Sequence, residues 1–464
     1  MSGTAAEQVT GWRDLLGSRH IGASTVLAGG VLLYATNEFL TISLLPSAVR
    51  QIGGERYYAW VTTVYLVASV VSATTVGPLV SKLGPRAAYL WSLGFFLLGS
   101  VGCAVAPNME LLLLGRVVQG AAGGALAGLG YAVINSALPQ SLWPKASALV
   151  SAMWGVGTVL GPAAGGFFAQ IGLWRWAFGA LAILTAAVAV LVPLNLPGRS
   201  SESDDVPLRI PLWSLLILGT SALAISMAGI QRSVIPMAVL LASGVVLVGV
   251  FLVVDRRLQM GVLPKSVFQA GAFKWNYVTL GLLMAATMAN MYVPLFGQRS
   301  ANLMPLTAGF LGVALAVGWT VGEIVSASVT SPARVVQIVR IAPLVMGAGL
   351  AVAALSQRDD ASPATVTVWA LALLVAGTGV GMAWPHLSVW AMGGVDDPSE
   401  GTVAAAAIST VQLICGAFGA GLAGVVINAL GRTDAVGATW LFAVFAAVAG
   451  LTTVASYRAG AVAD

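Results

Sequence analysis

The chain has 464 residues, of which 58% are hydrophobic and 8% are charged, and its mean hydropathy is +0.91. A water-soluble globular protein carries about a quarter charged residues, so this composition excludes a soluble enzyme, a disordered chain and a nucleic-acid-binding protein. The 22 Lys and Arg residues exceed the 17 Asp and Glu residues and give a net charge of +5, but they are scattered along the chain and form no basic run. The composition therefore predicts a polytopic membrane protein.

Apolar runs along the chain predict its membrane spans. A helix needs about 20 mostly apolar residues to cross a hydrocarbon core of roughly 30 Å. The run that starts at Ser24 is too long for a cleavable signal core, so we expect it to be retained as the first span. Applied to the whole chain, the length criterion predicts fourteen spans, at residues 24–46, 57–80, 87–106, 110–135, 145–170, 174–196, 211–230, 234–254, 273–297, 305–329, 334–356, 363–390, 402–429 and 436–457.

Hydrophilic segments divide these spans into groups of six, two and six. The longest such segment follows the sixth span, and an amphipathic segment follows the eighth. A pair of six-helix bundles is typical of transporters built from structural repeats. The expected organisation is a cytoplasmic N-terminal segment at 1–23, an N-terminal six-helix bundle at 24–196, a cytoplasmic linker at 197–209, an inserted transmembrane hairpin at 210–254, an amphipathic cytoplasmic connector at 255–272, a C-terminal six-helix bundle at 273–457 and a cytoplasmic tail at 458–464.

The distribution of basic residues predicts the orientation of the chain. With the N-terminus inside, the inner segments carry about twice as many Lys and Arg residues as the outer ones. Cytoplasmic loops are the ones enriched in these residues, so both termini are expected in the cytoplasm. Arg outnumbers Lys, and Ala and Gly are abundant, which indicates a GC-rich bacterium. The expected location is therefore the bacterial cytoplasmic (inner) membrane.

The loop after the second predicted span reads GPLVSKLGPR. It resembles the cytoplasmic signature of the major facilitator superfamily, which contains Gly, Leu, Asp, a basic residue, Gly and further basic residues. Gly77 and Gly84 permit a tight turn, and Lys82 and Arg86 are expected at the inner face. Ser81 stands where the family usually has an aspartate that helps to latch the outward-facing state. The resemblance therefore implies that the latch is weaker here or that another group supplies it.

Three later motifs of the first bundle also resemble that family. The fourth span contains RVVQG, which starts at Arg116, and the sixth starts with WRW. The fifth contains GTVLGPAAGG, which resembles the signature tied within this superfamily to exporters rather than importers. Its proline removes a backbone hydrogen bond and its glycines allow close helix contact. These residues of the fifth span are Gly157, Gly161, Pro162, Gly165 and Gly166.

Together these motifs resemble the major facilitator superfamily, in particular its fourteen-helix drug:proton antiporters. The resemblance implies an all-α polytopic membrane protein with the major facilitator fold, in which two six-helix bundles are joined by an inserted two-helix hairpin. The first span departs from the pattern. The fourteen-helix family usually has an aspartate where this chain has Asn37, and the stretch from Glu38 to Pro46 looks more like the twelve-helix drug exporters.

Ionisable side chains inside the hydrocarbon are costly and are functional candidates by default. Of the 17 Asp and Glu residues, only Glu38 and Glu323 fall clearly inside predicted spans. At 1.5 Å per residue, Glu38 lies about 12 Å and Arg116 about 9 Å below the same face. We expect a direct or water-mediated pair in which Glu38 is the proton-coupling carboxylate and Arg116 with Gln119 controls its protonation. The alternative is a structural ion pair that fixes the first and fourth helices.

Glu323 is a second proton-coupling candidate, and His386 at comparable depth is its candidate partner. The alternative is that both side chains reach the inner interface and are hydrated. Depth and polarity indicate the candidate substrate-binding residues. Among them, Met288 has a flexible thioether that suits varied ligands. For any one of them the alternative is packing between helices or against lipid. The substrate-binding candidates are Tyr34, Asn37, Gln119, Trp154, Met288, Asn290 and Trp319.

The expected function is proton-coupled efflux (antiport) of small lipophilic or cationic compounds across the cytoplasmic membrane by alternating access. The alternative is a proton-coupled transporter of a dedicated metabolite, lipid or nutrient. A scaffold or receptor is disfavoured because it gains nothing from burying charge. The sequence has no nucleophile elbow, no His-Glu metal spacing and no phosphate-cradling loop, so we expect no enzymatic activity, cofactor or metal. The expected partners are the small-molecule substrate, protons and membrane lipids, with no nucleic acid, and the expected state is a monomer.

Overall fold

The structure is a computed structural model. All regular elements of its described part are helical, which confirms the predicted all-α class. A chain in hydrocarbon must satisfy each backbone N–H and C=O internally, and helices do so within one segment. The described residues are 12–15, 17, 21–137, 139, 142–196, 211–231, 233–258, 261–269, 271–329, 331–393 and 401–460.

The described residues form sixteen α-helices, and all but the first belong to predicted membrane spans. They are α1 Trp12–Leu15, α2 Ile21–Ile52, α3 Tyr58–Ala73, α4 Val76–Ala104, α5 Met109–Ala137, α6 Trp143–Gln170, α7 Trp174–Asn195, α8 Leu212–Gly229, α9 Val234–Arg257, α10 Phe273–Thr287, α11 Val293–Ser300, α12 Pro305–Ala327, α13 Pro332–Leu355, α14 Pro363–Gly393, α15 Gly401–Leu430 and α16 Asp434–Ala459.

Within the ranges that the structure describes, thirteen helical stretches are long and apolar enough to cross a membrane, and the second predicted span supplies a fourteenth in two pieces. The first piece is α3, with 16 residues. The second piece is the first part of α4 and ends at Gly84. The φ of 77° at Gly84 breaks the helix before the third span. Only glycine adopts this left-handed φ at little cost. The ninth span is also interrupted, because the 3₁₀ turn Met288–Tyr292 separates α10 from α11.

The first half of the molecule contains α2–α7, and the second contains α10–α16. In the first half, α6 packs closely along α2 through a glycine stripe. A Cβ at Gly157 would lie 2.6 Å from the Cβ of Ala35, and one at Gly161 would lie 2.6 Å from the Cβ of Phe39. At Gly165 it would overlap the carbonyl oxygen of Leu40. The stripe therefore allows the two backbones to approach more closely than any larger residue would permit.

The hairpin formed by α8 and α9 lies beside the two halves. The α8 helix packs against α3 and α15, whereas α9 packs against α8 and is otherwise largely exposed. Trp60 Nε1 donates to the carbonyl oxygen of Ser226 (3.0 Å), and Ser226 Oγ donates to Thr63 Oγ1 (3.1 Å). The hairpin is thus joined to the first half by hydrogen bonds made within apolar surroundings.

The two halves are joined at one end of the molecule, which we call the sealed end. Tyr58 of the first half stacks on Tyr292 of the second, with ring centroids 4.6 Å apart. Arg299 forms ion pairs with Glu55 and, at 3.4 Å, with Asp434. Arg50 Nη2 also donates across the boundary, to Gln298 Oε1 (3.0 Å). At the same end, a Cβ at Gly166 of α6 would lie 2.6 Å from Leu306 Cα of α12.

Candidate functional site

Arg116 lies in the interior of the first half and is only 1% exposed. Its Nε donates to the carbonyl oxygen of Val61 (3.2 Å), and its Nη1 donates to Asn37 Oδ1 (3.1 Å) and Gln119 Oε1 (2.8 Å). All of these acceptors are uncharged. Burying a guanidinium is costly unless its donors are satisfied, so these hydrogen bonds fix the position of Arg116 and offset part of that cost.

The hydrogen bonds around Arg116 continue into α4 and join four helices. Gln119 Nε2 donates to Ser100 Oγ (2.9 Å), and Ser100 Oγ donates to the carbonyl oxygen of Phe96 (2.7 Å). Cys103 Sγ lies 3.5 Å from Gln119 Oε1. Because α2, α3, α4 and α5 all contribute a group, the network holds these helices in one arrangement.

Three aromatic side chains extend this network towards α6. The guanidinium carbon of Arg116 lies 4.1 Å from the ring centroid of Tyr65. Tyr65 stacks on Tyr34 at 5.9 Å, and Tyr34 meets Trp154 edge-on at 5.4 Å. An aromatic face attracts a desolvated cation by about 2 kcal/mol. The structure thus brings the predicted residues Tyr34, Asn37, Gln119 and Trp154 into one cluster with Arg116.

Glu38 lies beside this cluster but is not tied into it. The side chain is half-buried and within electrostatic range of Arg116, Tyr34 and Tyr65. The ion pairs of Arg299 with Glu55 and Asp434 do not involve Glu38. Of the two expected arrangements, direct or water-mediated, the direct pair between Glu38 and Arg116 is not formed in this structure. The neighbouring Asn37 occupies the position on Arg116 that Glu38 was expected to take.

Three buried polar atoms of the first half lack partners within the protein. Thr36 Oγ1, Asn37 Nδ2 and Tyr65 Oη are buried and form no hydrogen bond. An unsatisfied buried polar group costs about 1–3 kcal/mol, and such groups in native proteins have a reason to persist. These three atoms can form hydrogen bonds with a polar substrate group or with water.

The predicted residues of the second half form two smaller groups. Trp319 Nε1 donates to Glu323 Oε2 (3.0 Å), and the Trp319 ring lies 5.1 Å from that of Trp384. Asn290 Nδ2 donates to the carbonyl oxygen of Gly312 (3.0 Å), while Asn290 Oδ1 is buried without a partner. Met288 is half-buried in the 3₁₀ turn between α10 and α11. Polar groups that could contact a substrate therefore occur in both halves.

Glu323 and His386, which were considered as partners, bind different residues. His386 Nε2 lies 2.8 Å from Ser326 Oγ, and Ser326 Oγ also contacts the carbonyl oxygen of Met382 at 2.6 Å. Glu323 is instead held by Trp319. Among the described residues, no three His, Cys, Asp or Glu side chains lie together as metal ligands would.

The family-like loop after the second span is only partly described. Lys82 and Arg86 are exposed, and Gly84 adopts the positive φ that the turn requires. The surroundings of Gly77 and the side chain of Ser81 fall outside the described part of the chain, so the expectation of a weakened latch stays a prediction. In the fifth span, Pro162 lies within α6 among the glycines that contact α2 and α12.

Sequence reasoning missed four members of these groups, namely Tyr65, Ser100, Cys103 and Trp384. Tyr65 and Trp384 could have been predicted from their depth. A Tyr or Trp residue deep within a span needs a partner for its polar group, whereas a Tyr or Trp at the end of a span anchors at the membrane interface. Ser100 and Cys103 carry none, since small residues are common wherever membrane helices pack.

Comparison with known proteins agrees with this architecture. The family profile described as Major Facilitator Superfamily matches residues 27–420. A protein of Mycobacterium tuberculosis described as a probable multidrug-efflux transporter is 56% identical over 464 residues, covering 99% of this chain and 98% of the relative. Multidrug resistance protein 3 of Bacillus subtilis is 24% identical and covers 80% of this chain and 73% of that protein.

Solved structures of transporters share the fold at low sequence identity. A D-xylose-proton symporter superposes with a TM-score of 0.66 at 15% identity, covering 95% of this chain and 98% of the symporter. A transporter of the POT family in complex with 5-aminolevulinic acid gives a TM-score of 0.69 at 13% identity, covering 94% of this chain and 95% of the other. At such identities the likeness extends to the fold alone.

Proposed function

The chain belongs to the major facilitator superfamily, and from this premise we propose that it exports small lipophilic or cationic compounds across the bacterial cytoplasmic membrane in exchange for protons. The protein is a transporter rather than an enzyme. The name of its Mycobacterium tuberculosis relative supports multidrug efflux. The glycine and proline pattern of α6, which resembles that of exporters, supports the outward direction.

The observation that carries the coupling proposal is the position of Glu38. It is a half-buried carboxylate in the first span, it has no fixed partner among the described residues, and a permanently charged guanidinium lies nearby. A carboxyl group without a dedicated counter-ion can take up and release a proton without breaking a structural contact. We assign Arg116 and Gln119 as positioning residues, because Arg116 donates both to Asn37 of α2 and to Gln119, which holds α2 beside α5.

Proton and substrate then exclude each other at Glu38. A neighbouring positive charge favours the ionised form of a carboxyl group, whereas an apolar environment favours the neutral form. Approach of a cationic or polar substrate therefore releases the proton, and binding of a proton releases the substrate. The predicted substrate contacts in the first half are Tyr34, Asn37 and Trp154. Those in the second half are Met288, Asn290 and Trp319.

Alternating access requires that the sealed end opens in another state. We propose that it is the outer end and that both termini are cytoplasmic. Opening would separate Tyr58 from Tyr292 and Glu55 from Arg299, while α6 moves along α12 at Gly166. The partly exposed ion pairs of Arg299 exchange their contacts for water at little net cost.

In this proposal the moving bodies are the bundles at 24–196 and 273–457, and the protein acts as a monomer. The hairpin at 210–254 lies beside them and does not line the route. The connector at 255–272 is fastened to the end of α9, because buried Asp255 accepts the backbone N–H groups of Val262 (2.8 Å) and Leu263 (2.9 Å).

The proposal is tested with purified protein in proteoliposomes under an imposed pH gradient, with a panel of lipophilic cations and neutral compounds. We expect gradient-driven transport in the direction opposite to proton flow, and loss of gradient-driven transport in Glu38→Gln, which keeps the size of the side chain. Glu110→Gln is the matched control, because Glu110 is exposed at the start of α5. Full gradient-driven transport by Glu38→Gln would contradict the assignment, and transport of a single metabolite class would favour the dedicated transporter.

A further inference from the structure

Three helices of the second half, α10, α13 and α16, have ends that lie opposite the sealed end. The α16 helix begins at Asp434, which pairs with Arg299 at the sealed end, so its last residues lie at the other end. The ninth span finishes with α11, which contains Arg299, so α10 starts at that other end as well. The segment after α13 returns to the sealed end, where the backbone N–H of Ala361 donates to the carbonyl oxygen of Ser300. The start of α13 therefore also lies at the other end, and α16 packs against both α10 and α13.

Basic and aromatic side chains of these three helix ends contact one another across helix boundaries. The guanidinium carbon of Arg458 on α16 lies 4.5 Å from the ring centroid of Trp275 on α10, and Lys274 Nζ lies 5.9 Å from the same centroid. The guanidinium carbon of Arg340 on α13 lies 5.4 Å from the ring centroid of Tyr457 on α16. An aromatic face holds a guanidinium in place without neutralising its charge. We call these five residues the basic cluster.

Two positive charges of the basic cluster are available to an anion. Lys274 and Arg458 are exposed, and within the described ranges no Asp or Glu forms an ion pair with either of them. A guanidinium presents N–H donors in a planar fork that matches a phosphate group, and a lysine adds a point charge. Because both side chains lie against the ring of Trp275, their charges are close enough to act on one anion.

Each basic residue of the cluster is followed, one helical turn closer to the membrane centre, by an exposed apolar residue. The pairs are Lys274 and Val278 on α10, Arg340 and Leu344 on α13, and Arg458 and Val454 on α16. The three apolar side chains are 39%, 49% and 56% exposed, respectively. Residues four apart lie on the same face of a helix. Each helix thus presents a positive charge at the membrane surface and an apolar side chain in the hydrocarbon, which matches the headgroup and the acyl chains of a phospholipid.

We propose that the basic cluster binds an anionic phospholipid. Lys274 and Arg458 contact its phosphate group, and its acyl chains lie along Val278 and Val454. A soluble phosphate ion would use the two charges alone, whereas the lipid also covers the apolar residues beneath them, and this second contact favours the lipid. The proposed orientation places the lipid in the cytoplasmic leaflet, and the bound lipid joins the inner ends of α10 and α16. The site is separate from the residues proposed for proton coupling and substrate binding.

The test measures binding of phosphatidylglycerol to the purified full-length protein in an uncharged detergent by native mass spectrometry. Phosphatidylcholine with the same acyl chains is the zwitterionic comparison. We expect the wild type to bind phosphatidylglycerol at least about fivefold more tightly than phosphatidylcholine. Lys274→Gln and Arg458→Gln should each weaken phosphatidylglycerol binding about fivefold, since each removes one charge from the phosphate, and neither should change the binding of phosphatidylcholine.

Two further variants separate a defined site from attraction by net charge. The double variant Arg256→Gln and Arg257→Gln removes two exposed charges from the end of α9, and Arg458→Lys keeps the charge at its position. Both should bind phosphatidylglycerol within about twofold of the wild type.

Four results would overturn the lipid site. They are equal binding of the two lipids by the wild type, unchanged phosphatidylglycerol affinity in both Lys274→Gln and Arg458→Gln, an equal loss in the double variant of α9, and displacement of the lipid by inorganic phosphate at the same concentration. The last result would show a site for a soluble anion, because inorganic phosphate cannot replace the contacts of the acyl chains.

Discussion

Arg116 in the first half and Glu323 in the second are both charged side chains at membrane depth, but their surroundings differ. Arg116 is 1% exposed and has three uncharged acceptors and an aromatic face. Glu323 is half-buried, accepts one indole N–H and retains a free carboxylate oxygen. The first charge is therefore built into the packing, whereas the second is held by a single hydrogen bond.

The comparison also explains why Glu38 can serve as the coupling group. Because Asn37, Gln119 and the Val61 carbonyl satisfy Arg116, the guanidinium does not need Glu38 as a counter-ion. In the proposed mechanism, Glu38 is therefore free to bind or release a proton close to a fixed positive charge. The sequence analysis treated a coupling pair and a structural ion pair as alternatives for Glu38 and Arg116; in the proposal, Asn37 makes the structural contact with Arg116 and Glu38 carries the coupling.

The largest expected effect follows from removing the charge that is built into the packing. Arg116→Met should lower the free energy of unfolding by about 3 kcal/mol or more, because it leaves several buried acceptors without a donor. Thermal unfolding in detergent measures the change. Arg358→Met is the control, since Arg358 is exposed, and it should change stability by less than about 0.5 kcal/mol. Similar small effects for both variants would contradict a structural role for Arg116.

The glycine stripe of α6 provides the next test of the tightly packed first half. Gly165→Ala should lower the free energy of unfolding by about 1–3 kcal/mol, because the new methyl group overlaps the Leu40 carbonyl oxygen and forces α6 away from α2. Gly155→Ala, on the same helix, meets no atom within 4 Å and should be neutral. Thermal unfolding of the two variants side by side decides whether the close approach is needed.

The ion pairs of the sealed end should have a smaller effect, on conformation more than on folding. Glu55 and Arg299 have side chains that are 57% and 31% exposed, and exposed pairs contribute about 0.2–1 kcal/mol. Glu55→Gln should therefore increase the population open at this end by a few-fold, measured as a distance distribution between spin labels on the two halves. Asp434→Asn should act less, since its pair is longer. Raising the salt concentration should reduce both effects, and no shift in either variant would contradict a gating role.

The smallest effect on stability is expected at Glu323. Glu323→Gln should change the free energy of unfolding by less than about 0.5 kcal/mol, because glutamine still accepts the Trp319 N–H and the lost charge had no fixed counter-ion. The comparison of Glu323→Gln with Arg116→Met in one thermal-unfolding series tests the difference between the two halves. A destabilisation as large as that of Arg116→Met would show that Glu323 is also structural.

The sequence predicted the spans well because long apolar runs leave few alternatives. It did not predict the break between α3 and α4, since Thr74 and Thr75 carry no strong helix-breaking signal. Depth along a helix could be estimated from residue number, and it placed Glu38 and Arg116 correctly at one level. Rotation around the helix could not be estimated, and adjacent residues differ by about 100°. That difference decides that Asn37, and not Glu38, contacts Arg116.

The site residues outside the recognised motifs were harder to predict. Tyr65 lies against Arg116 only because α3 and α5 pack together, and Trp384 meets Trp319 only because α12 and α14 do. A single sequence does not specify which helices are neighbours. Long-range helix packing therefore determines the part of the site that residue type and depth alone leave open.

The central claim is that Glu38 loses a proton when substrate binds. It is tested most directly by measuring proton release from detergent-solubilised protein in weakly buffered solution as a transported cation is added, with the wild type and Glu38→Gln compared at saturating ligand. We predict that the wild type releases protons on binding and that Glu38→Gln binds the ligand and releases none. Equal proton release by both proteins would contradict the claim.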